Sequence, residues 1–264
     1  MMSDLLLRAP SASNVAARVR LRAATTAHRV SLDVDSSIDA VTAAAIQSLW
    51  RTVGQPGTGA RVSVGRSDIA NSSVVAAFEA RAWADLVLSS FARETNLLIP
   101  STRFLIAGTG HVADALAAAI IRFGGRIQLT ADEPVGLLDI AIRHAAPSHR
   151  ITESPFIPAD VDVVVATGVG HPELTPDAVA AGVRPLLVVD AGTHATFHPD
   201  SVTAAWAVRG LGHFEGPRPI VVVPRVETDA LHHTTAEIRA AYAVLLATVG
   251  AQHADIALAE VLQP

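Results

Sequence analysis

Apolar runs alternate with helical segments from residue 103 onward, and this alternation constrains the fold more than any other feature. The runs "RFLIAG", "GRIQLT", "VDVVVAT", "RPLLVVDAG" and "PIVVVPR" are rich in Val, Ile and Leu. Strands of this composition are buried on both faces, as in parallel sheets covered by helices. Helical spacing in 111–123, "PVGLLDIAIRHA", "TPDAVAAG" and 234–249 supplies the crossovers. The sequence therefore predicts an α/β fold with a doubly wound, Rossmann-like parallel sheet.

A smaller α/β region precedes this sheet. Residues 14–23 and 28–34 alternate apolar and polar side chains, which predicts two strands in a hairpin. Apolar residues recur at helical spacing between Ser36 and Gly54, and again over residues 72–95.

The pattern suggests three parts in the chain. Residues 1–95 form a small N-terminal α/β region that serves the substrate side or oligomerisation. Residues 96–233 form a Rossmann-like NAD-binding domain. Residues 234–264 form a C-terminal helix that packs back on the N-terminal part.

Composition narrows the classes of partner. The formal net charge is -5, and no Lys/Arg cluster is present, which argues against nucleic acid. The absence of cysteine excludes disulfides, thiolate metal sites and a cysteine nucleophile. The apolar run at the N-terminus is too short for a signal peptide, and no apolar stretch reaches 18 residues, so we expect a cytoplasmic protein away from membranes. Charged residues make up only 17%, and a homo-oligomer is therefore expected.

A glycine turn follows the first strand of the predicted sheet. Gly108 permits a tight turn, Gly110 lets the backbone approach a pyrophosphate, and Ala113 replaces the third glycine, where the helix packs on the strand. The N–H groups at the start of the following helix suit a pyrophosphate. At a strand-to-helix junction this pattern predicts a dinucleotide site, and His111 could touch the pyrophosphate.

The end of the second strand bears on the choice between NAD and NADP. An acidic residue there accepts the ribose hydroxyls and repels a 2′-phosphate. In this chain Thr130 and Ala131 come first, and the acids Asp132 and Glu133 arrive one residue late. No arginine follows at once, so the sequence favours NAD, with Asp132 as the ribose ligand.

Two further strand ends carry polar or flexible residues. One strand ends at Thr167-Gly168 and the next at Asp190 to His194. Ligands of doubly wound sheets bind at such ends, and Asp190 and His194 could act on a substrate there. The predicted cofactor-binding residues are Gly108, Thr109, Gly110, His111, Val112, Ala113, Thr130, Ala131, Asp132, Thr167, Gly168, Ala191, Gly192 and Thr193.

Histidine pairs offer an alternative based on metal. The chain has 11 histidines, among them His194-x3-His198 and the adjacent His232 and His233. Pro199 breaks the helix that the first pair would need, and no carboxylate stands at a typical spacing from the second. These side chains are better interpreted as surface or capping histidines, so no metal is expected.

The segment "ETNLLIPSTRFLIAGTGHVADALAAAIIRFGGRIQLTADEP" resembles the cofactor domain of the S-adenosylhomocysteine hydrolase family. The family has a helix ending "RATN-L-AGK", then "VVAGYGDVGKG" and "GARVIITEIDP". "NSSVVAAFEARAW", "VVVATGVGHPELTPDAV" and "LLVVDAGTH" are similar to further family motifs. The likeness covers about residues 60–200 and is strongest over 94–134. It implies a Rossmann-type domain with tightly held NAD.

Several residues that the family uses are replaced. The family's asparagine matches Asn71, its lysine falls on Ala76 and its aspartate on Glu79. The histidine of "AGHF" becomes Thr193, with His194 one residue later. The ribose-binding glutamate becomes Ala131, and the large domain that precedes the family's cofactor domain has no counterpart here. Hydrolysis of S-adenosylhomocysteine is therefore not expected.

Two functions fit these observations. The first is an NAD-dependent enzyme that transiently oxidises a sugar hydroxyl in a nucleoside or small molecule, with elimination, dehydration or epimerisation. Its candidate catalytic residues are Asn71, Glu79, Asp190 and His194, with Glu79 or His194 as the base. The alternative is a non-catalytic NAD-binding regulatory or partner subunit.

Overall fold

The computed structural model describes residues 12–23, 30–53, 60–150, 157–169, 184–192, 207–210, 212–215 and 218–263. The chain divides into two compact units, which are Met1–Glu79 with Asp229–Pro264, and Ala80–Thr228. Over the described ranges, none of the helices combines the length and the apolar character that crossing a bilayer requires.

The secondary structure follows the predicted alternation. The helices are α1 Ala12–Ala23, α2 Ala40–Val53, α3 Arg66–Ala70, α4 Ser73–Thr95, α5 Gly110–Arg122, α6 Pro134–His144, α7 Thr228–Val249 and α8 Ala251–Leu262. The strands are β1 Val30–Val34, β2 Ala60–Val64, β3 Arg103–Ala107, β4 Arg126–Ala131, β5 Ser148–Arg150, β6 Val163–Ala166, β7 Leu186–Asp190, β8 Ala207–Gly210, β9 His213–Glu215 and β10 Ile220–Val223. The helix predicted within "TPDAVAAG" lies outside the described residues.

The first unit contains a two-stranded parallel sheet and a helical core. Strand β1 pairs with β2, with Val30 opposite Ala60 and Val34 opposite Val64. Helices α1, α2, α7 and α8 contribute apolar side chains to one buried cluster. Its members include Val19, Ile46, Val244, Leu245 and Leu258.

The predicted N-terminal hairpin is wrong, because residues 14–23 lie in helix α1. Val15, Val19 and Ala23 are all buried, and their spacing of four residues places them on one helical face. The alternating pattern arises because small and charged residues separate these positions. Strand β1 does form, but its partner in the sheet is β2.

The second unit confirms the doubly wound fold. Its sheet has the strand order β5-β4-β3-β6-β7-β10-β9-β8, and the first six of these strands are parallel. Counted along the chain from β3, these six strands have the order 3-2-1-4-5-6 of dinucleotide-binding domains. The order reverses between β3 and β6, and in folds of this type ligands bind at the carboxyl ends of the strands beside such a reversal.

A buried arginine ties the amino ends of three neighbouring strands. Arg218 is 0% exposed and lies just before β10. Its Nε donates to the Arg184 carbonyl before β7 at 2.6 Å, and its Nη2 donates to the Val161 carbonyl before β6 at 2.9 Å. The bond to Val161, which is fully buried, pairs a carbonyl group that would be costly to leave without a partner. Arg218 therefore supports the register of β6, β7 and β10.

We expect Arg218→Met to lower the free energy of unfolding by about 2 to 4 kcal/mol, because the apolar side chain leaves the carbonyl of buried Val161 without its hydrogen bond and also loses the bond to Arg184. Arg126→Met is the matched control, since Arg126 is exposed in the same unit. Its effect should stay within about 0.5 kcal/mol. Denaturant unfolding of both variants measures the difference, and equal effects would contradict the structural role of Arg218.

Candidate functional site

The glycine turn lies at the point where the strand order reverses. Gly108 has a φ of 123° and Gly110 a φ of 83°, both in the region that favours glycine. A Cβ on Gly108 would overlap the Thr167 hydroxyl oxygen and lie 2.5 Å from the Val169 carbonyl oxygen. The Thr109 N–H donates to the Val169 carbonyl at 2.8 Å. The turn therefore packs backbone against backbone with the end of β6.

The amino end of α5 is left open to a ligand. Its N-cap residue Thr109 makes no side-chain capping hydrogen bond, and Gly110 and His111 are exposed. The N–H groups of the first helical turn have no intrahelical acceptors, so they remain available to an anion. Ala113 is fully buried, which shows that its methyl group fits where the helix packs on the sheet.

Helix α6 differs, because an acidic side chain already caps it. Glu133 accepts hydrogen bonds from the Val135 N–H at 2.9 Å and from the Gly136 N–H at 2.6 Å. Its carboxylate is consequently engaged by the helix. Asp132 is exposed, and the described residues offer it no hydrogen-bond or ion-pair partner. Of the two acids after β4, Asp132 is the one that stays free for a ribose.

The other predicted cofactor residues on β4 and β6 are mainly structural. Thr130 and Ala131 are buried, and the Thr130 carbonyl accepts the Gly108 N–H at 2.8 Å. The buried Thr167 hydroxyl donates to the Ala107 carbonyl at 3.1 Å. Gly168 is exposed with a φ of 76°. These residues shape the crevice through their backbone, and few of their polar side-chain atoms face solvent.

The end of β7 is held by groups from elsewhere in the same unit. Asp190 is 7% exposed, and its Oδ1 accepts the Gly192 N–H at 3.1 Å. The indole N–H of buried Trp83 donates to the Ala191 carbonyl at 2.7 Å. Nη2 of Arg225 donates to the Gly192 carbonyl at 2.9 Å. Thr193 and His194 lie outside the described residues.

Glu79 and Asn71 belong to the first unit. Asn71 is exposed and caps the carboxyl end of α3. Nε of Arg239 donates to Glu79 Oε1 at 2.5 Å, and their side chains are 13% and 25% exposed. The Glu79 carboxylate is therefore engaged by Arg239 within the first unit.

Arg239 also reaches a second acid and a histidine. Its Nη1 lies 3.2 Å from Asp39 Oδ2 and 3.0 Å from His232 Nδ1. His232 Nδ1 in turn lies 3.1 Å from Asp39 Oδ2. Partial burial raises the pKa of Asp39, but hydrogen bonds from the Thr42 N–H and His232 outweigh it and lower the pKa to about 2. Across the described parts of the chain, no group of three or more His, Cys, Asp or Glu side chains could hold a metal ion.

Sequence reasoning missed four of these features. Trp83 belongs to the apolar residues that recur at helical spacing over residues 72–95. That spacing does not reveal its hydrogen bond to the Ala191 carbonyl. Gly192, the partner of Arg225, is 33 residues away along the chain, and Glu79, one partner of Arg239, is 160 residues away. Glu133 was detectable in principle, because an acid directly before Pro134 is a helix-start signal.

Neither a family model nor a curated protein matches the chain. Among solved structures it is similar to one from Bacillus halodurans, a dipicolinate synthase, with 13% identity and a TM-score of 0.49 over 88% of this chain and 67% of that one. An L-alanine dehydrogenase has 16% identity and a TM-score of 0.46 over 89% and 71%. A transhydrogenase from Sinorhizobium meliloti has 13% identity and a TM-score of 0.44 over 84% and 67%. Similarity at this level carries no functional argument.

We expect Gly108→Ala to lower the free energy of unfolding by about 2 to 4 kcal/mol, because it combines backbone strain with steric overlap. Gly250→Ala is the matched control. Gly250 also has a positive φ, 83°, but the described part of the chain places no atom within 4 Å of the added Cβ, so strain of about 1 kcal/mol should act alone. Hydrogen exchange at the β3 and β6 amides, with denaturant unfolding, compares the two. Equal losses would show that the close packing at Gly108 is unimportant.

The pH dependence of stability tests the Asp39 cluster. A carboxyl whose folded pKa is depressed stabilises the folded state above its unfolded value of about 4, and this contribution is lost as the pH falls toward 2. Asp39→Asn should therefore lower the free energy of unfolding by up to about 2 kcal/mol at pH 7. Asp39 accepts the Thr42 N–H in the first turn of α2, and asparagine can accept the same hydrogen bond. The variant therefore mainly removes charge. The deficit should shrink between pH 4 and pH 2 in urea unfolding; a constant deficit would refute the charge effect.

Proposed function

We propose that the Ala80–Thr228 unit binds NAD and that the protein is an NAD-dependent enzyme acting on a hydroxyl group. The observation that carries this proposal is the uncapped amino end of α5 at the reversal of the strand order. A structural glycine turn needs no open helix end, whereas a pyrophosphate does.

The residues present fit a dinucleotide. The glycine turn lets backbone approach closely: among the described residues, only the Val169 side chain, at 3.7 Å, lies within 4 Å of a Cβ added to Gly110. The N–H groups of Gly110, His111 and Val112 would hold the pyrophosphate. Asp132 would accept hydrogen bonds from the ribose hydroxyls of the adenosine half. A carboxylate there disfavours a 2′-phosphate and supports NAD over NADP.

The nicotinamide half would lie at the ends of β6, β7 and β10. When bound, the nicotinamide ring exchanges a hydride with a substrate carbon. The chain's own residues would hold the ring and the substrate: Gly168, Ala191 and Gly192 offer backbone groups, and Asp190 offers a carboxylate. Trp83 and Arg225 fix the position of this strand end through the carbonyl groups of Ala191 and Gly192.

The resemblance to the S-adenosylhomocysteine hydrolase family suggests the finer reaction. A hydroxyl is oxidised to a ketone, which makes the neighbouring C–H acidic. Elimination, dehydration or epimerisation follows, and return of the hydride leaves the reaction redox-neutral. The proton would be removed by His194, since Glu79 belongs to the other unit and accepts a hydrogen bond from Arg239 there.

A non-catalytic NAD-binding subunit is the second candidate function. It is favoured by the engagement of two predicted catalytic carboxylates. Glu79 accepts a hydrogen bond from Arg239, and Asp190 accepts one from the Gly192 N–H. NAD binding without oxidation of any hydroxyl substrate would support this function.

Binding of NADH, followed by calorimetry and by the fluorescence of the reduced nicotinamide, tests the proposed function. Asp132→Ala should weaken NADH binding about tenfold, because charge-assisted hydrogen bonds to the ribose are lost. Glu133→Gln is the control, since its amide oxygen can still cap α6. Its affinity for NADH should be unchanged. A wild-type protein that binds neither NADH nor NAD⁺ would refute the proposal, and unchanged affinity in Asp132→Ala would show that the ribose ligand is another residue.

A further inference from the structure

An arginine lies beside the end of β7 at the ligand-binding edge of the sheet. Strand β10 runs parallel to β7, with Val223 opposite Val189, so both carboxyl ends lie at the same edge. Arg225 follows β10 by two residues, and its Nη2 donates to the Gly192 carbonyl at 2.9 Å. The guanidinium group is thereby held at the Gly192 carbonyl, just after the end of β7.

The contact with Gly192 uses only part of the guanidinium group. Arginine carries five N–H donors, and Arg225 is exposed, so the others can reach a ligand. No described carboxylate forms an ion pair with Arg225. Other arginines of this unit are engaged by acids: Arg103 pairs with Asp160, Arg122 with Asp85, and Arg143 with Asp114 and Asp139.

The position of Arg225 distinguishes it from a second arginine at the same edge. Arg150 ends β5, which is the outer strand of the half formed by β3, β4 and β5. That half holds the glycine turn and Asp132, and it would bind adenosine. Arg225 ends the opposite half, formed by β6, β7 and β10. A substrate that reacts at the nicotinamide ring would lie beside this half.

We propose that Arg225 binds an anionic oxygen group of the substrate, a carboxylate or a phosphate. The inference rests on the proposed function and deepens it, because it names the substrate class. A hydroxy acid or a phosphorylated sugar or nucleotide offers such a group, whereas a neutral nucleoside does not. The planar guanidinium fork matches both oxyanions and can donate two parallel hydrogen bonds.

The surrounding contacts hold this arginine in place before a ligand arrives. The Gly192 peptide is fixed on both sides, because its N–H donates to Asp190 and its carbonyl accepts from Arg225. The preceding carbonyl, on Ala191, is fixed by buried Trp83. Ordering an arginine side chain before binding reduces the entropy lost when the ligand is held.

The test uses oxalate and inorganic phosphate as probes at constant ionic strength. Each is titrated by calorimetry into the whole chain, with and without saturating NADH. The variants are Arg225→Gln, Arg225→Lys and the matched control Arg150→Gln, and circular dichroism checks that each is folded. We expect at least one probe to bind the wild type and Arg150→Gln equally. Arg225→Gln should weaken that binding at least about tenfold. The probe affinity of Arg225→Lys should lie between those of the wild type and Arg225→Gln, because lysine keeps the charge but lacks the planar pair of donors.

The two arms identify the anion, since oxalate binding alone indicates a carboxylate and phosphate binding alone indicates a phosphate. Failure of both probes to bind the wild type, or equal binding by the wild type and Arg225→Gln, would overturn the proposal. If Arg225→Gln does not fold, Arg225→Lys serves as the test instead. The proposal would then be overturned if Arg225→Lys bound the probe as tightly as the wild type does. Probe binding that depends on Arg225 in a protein that does not bind NADH would leave the anion site standing and refute the proposed function alone.

Discussion

The close approach of the glycine turn to the end of β6 is the contact on which the site depends. Gly108 has no side chain, so the Thr167 hydroxyl and the Val169 carbonyl can occupy the space beside it. The hydrogen bond from Thr109 to Val169 then joins the two strands where their connections diverge. This contact brings the amino end of α5 to the carboxyl edge of the sheet, where the N–H groups of the first helical turn have no intrahelical acceptors.

The amino ends of α5 and α6 lie at this edge and differ in side-chain capping. Glu133 supplies its own carboxylate to the start of α6, so the positive end of that helix dipole is already neutralised. Thr109 supplies no such group to α5. An external anion therefore gains more at α5 than at α6. The acid beside the cap, Asp132, then remains exposed and able to serve a ribose.

Local patterns predicted the doubly wound sheet, whereas the contacts between distant residues could not be predicted. Apolar strands such as "VDVVVAT" and the turn at Gly108 have signals within a few residues. Strand β5, only Ser148–Arg150, is short and polar, so it forms through pairing with β4 and has no apolar signal. Residues 14–23, which lie in α1, were predicted to form a strand because their apolar and polar side chains roughly alternate along the chain. The partners of Arg218, Arg225 and Arg239 depend on the folded arrangement of chain segments.

Two of the predicted catalytic carboxylates, Glu79 and Asp190, are each held by a neighbouring hydrogen-bond donor. Arg239 lies within hydrogen-bond distance of both Glu79 and Asp39, so these two carboxylates hold its guanidinium group in place. Asp190 is similarly committed to the Gly192 N–H. A reaction that removes a proton would need a base without such a partner, while Arg225, with exposed donors at the edge of the sheet, is suited to orienting the substrate that this base would meet.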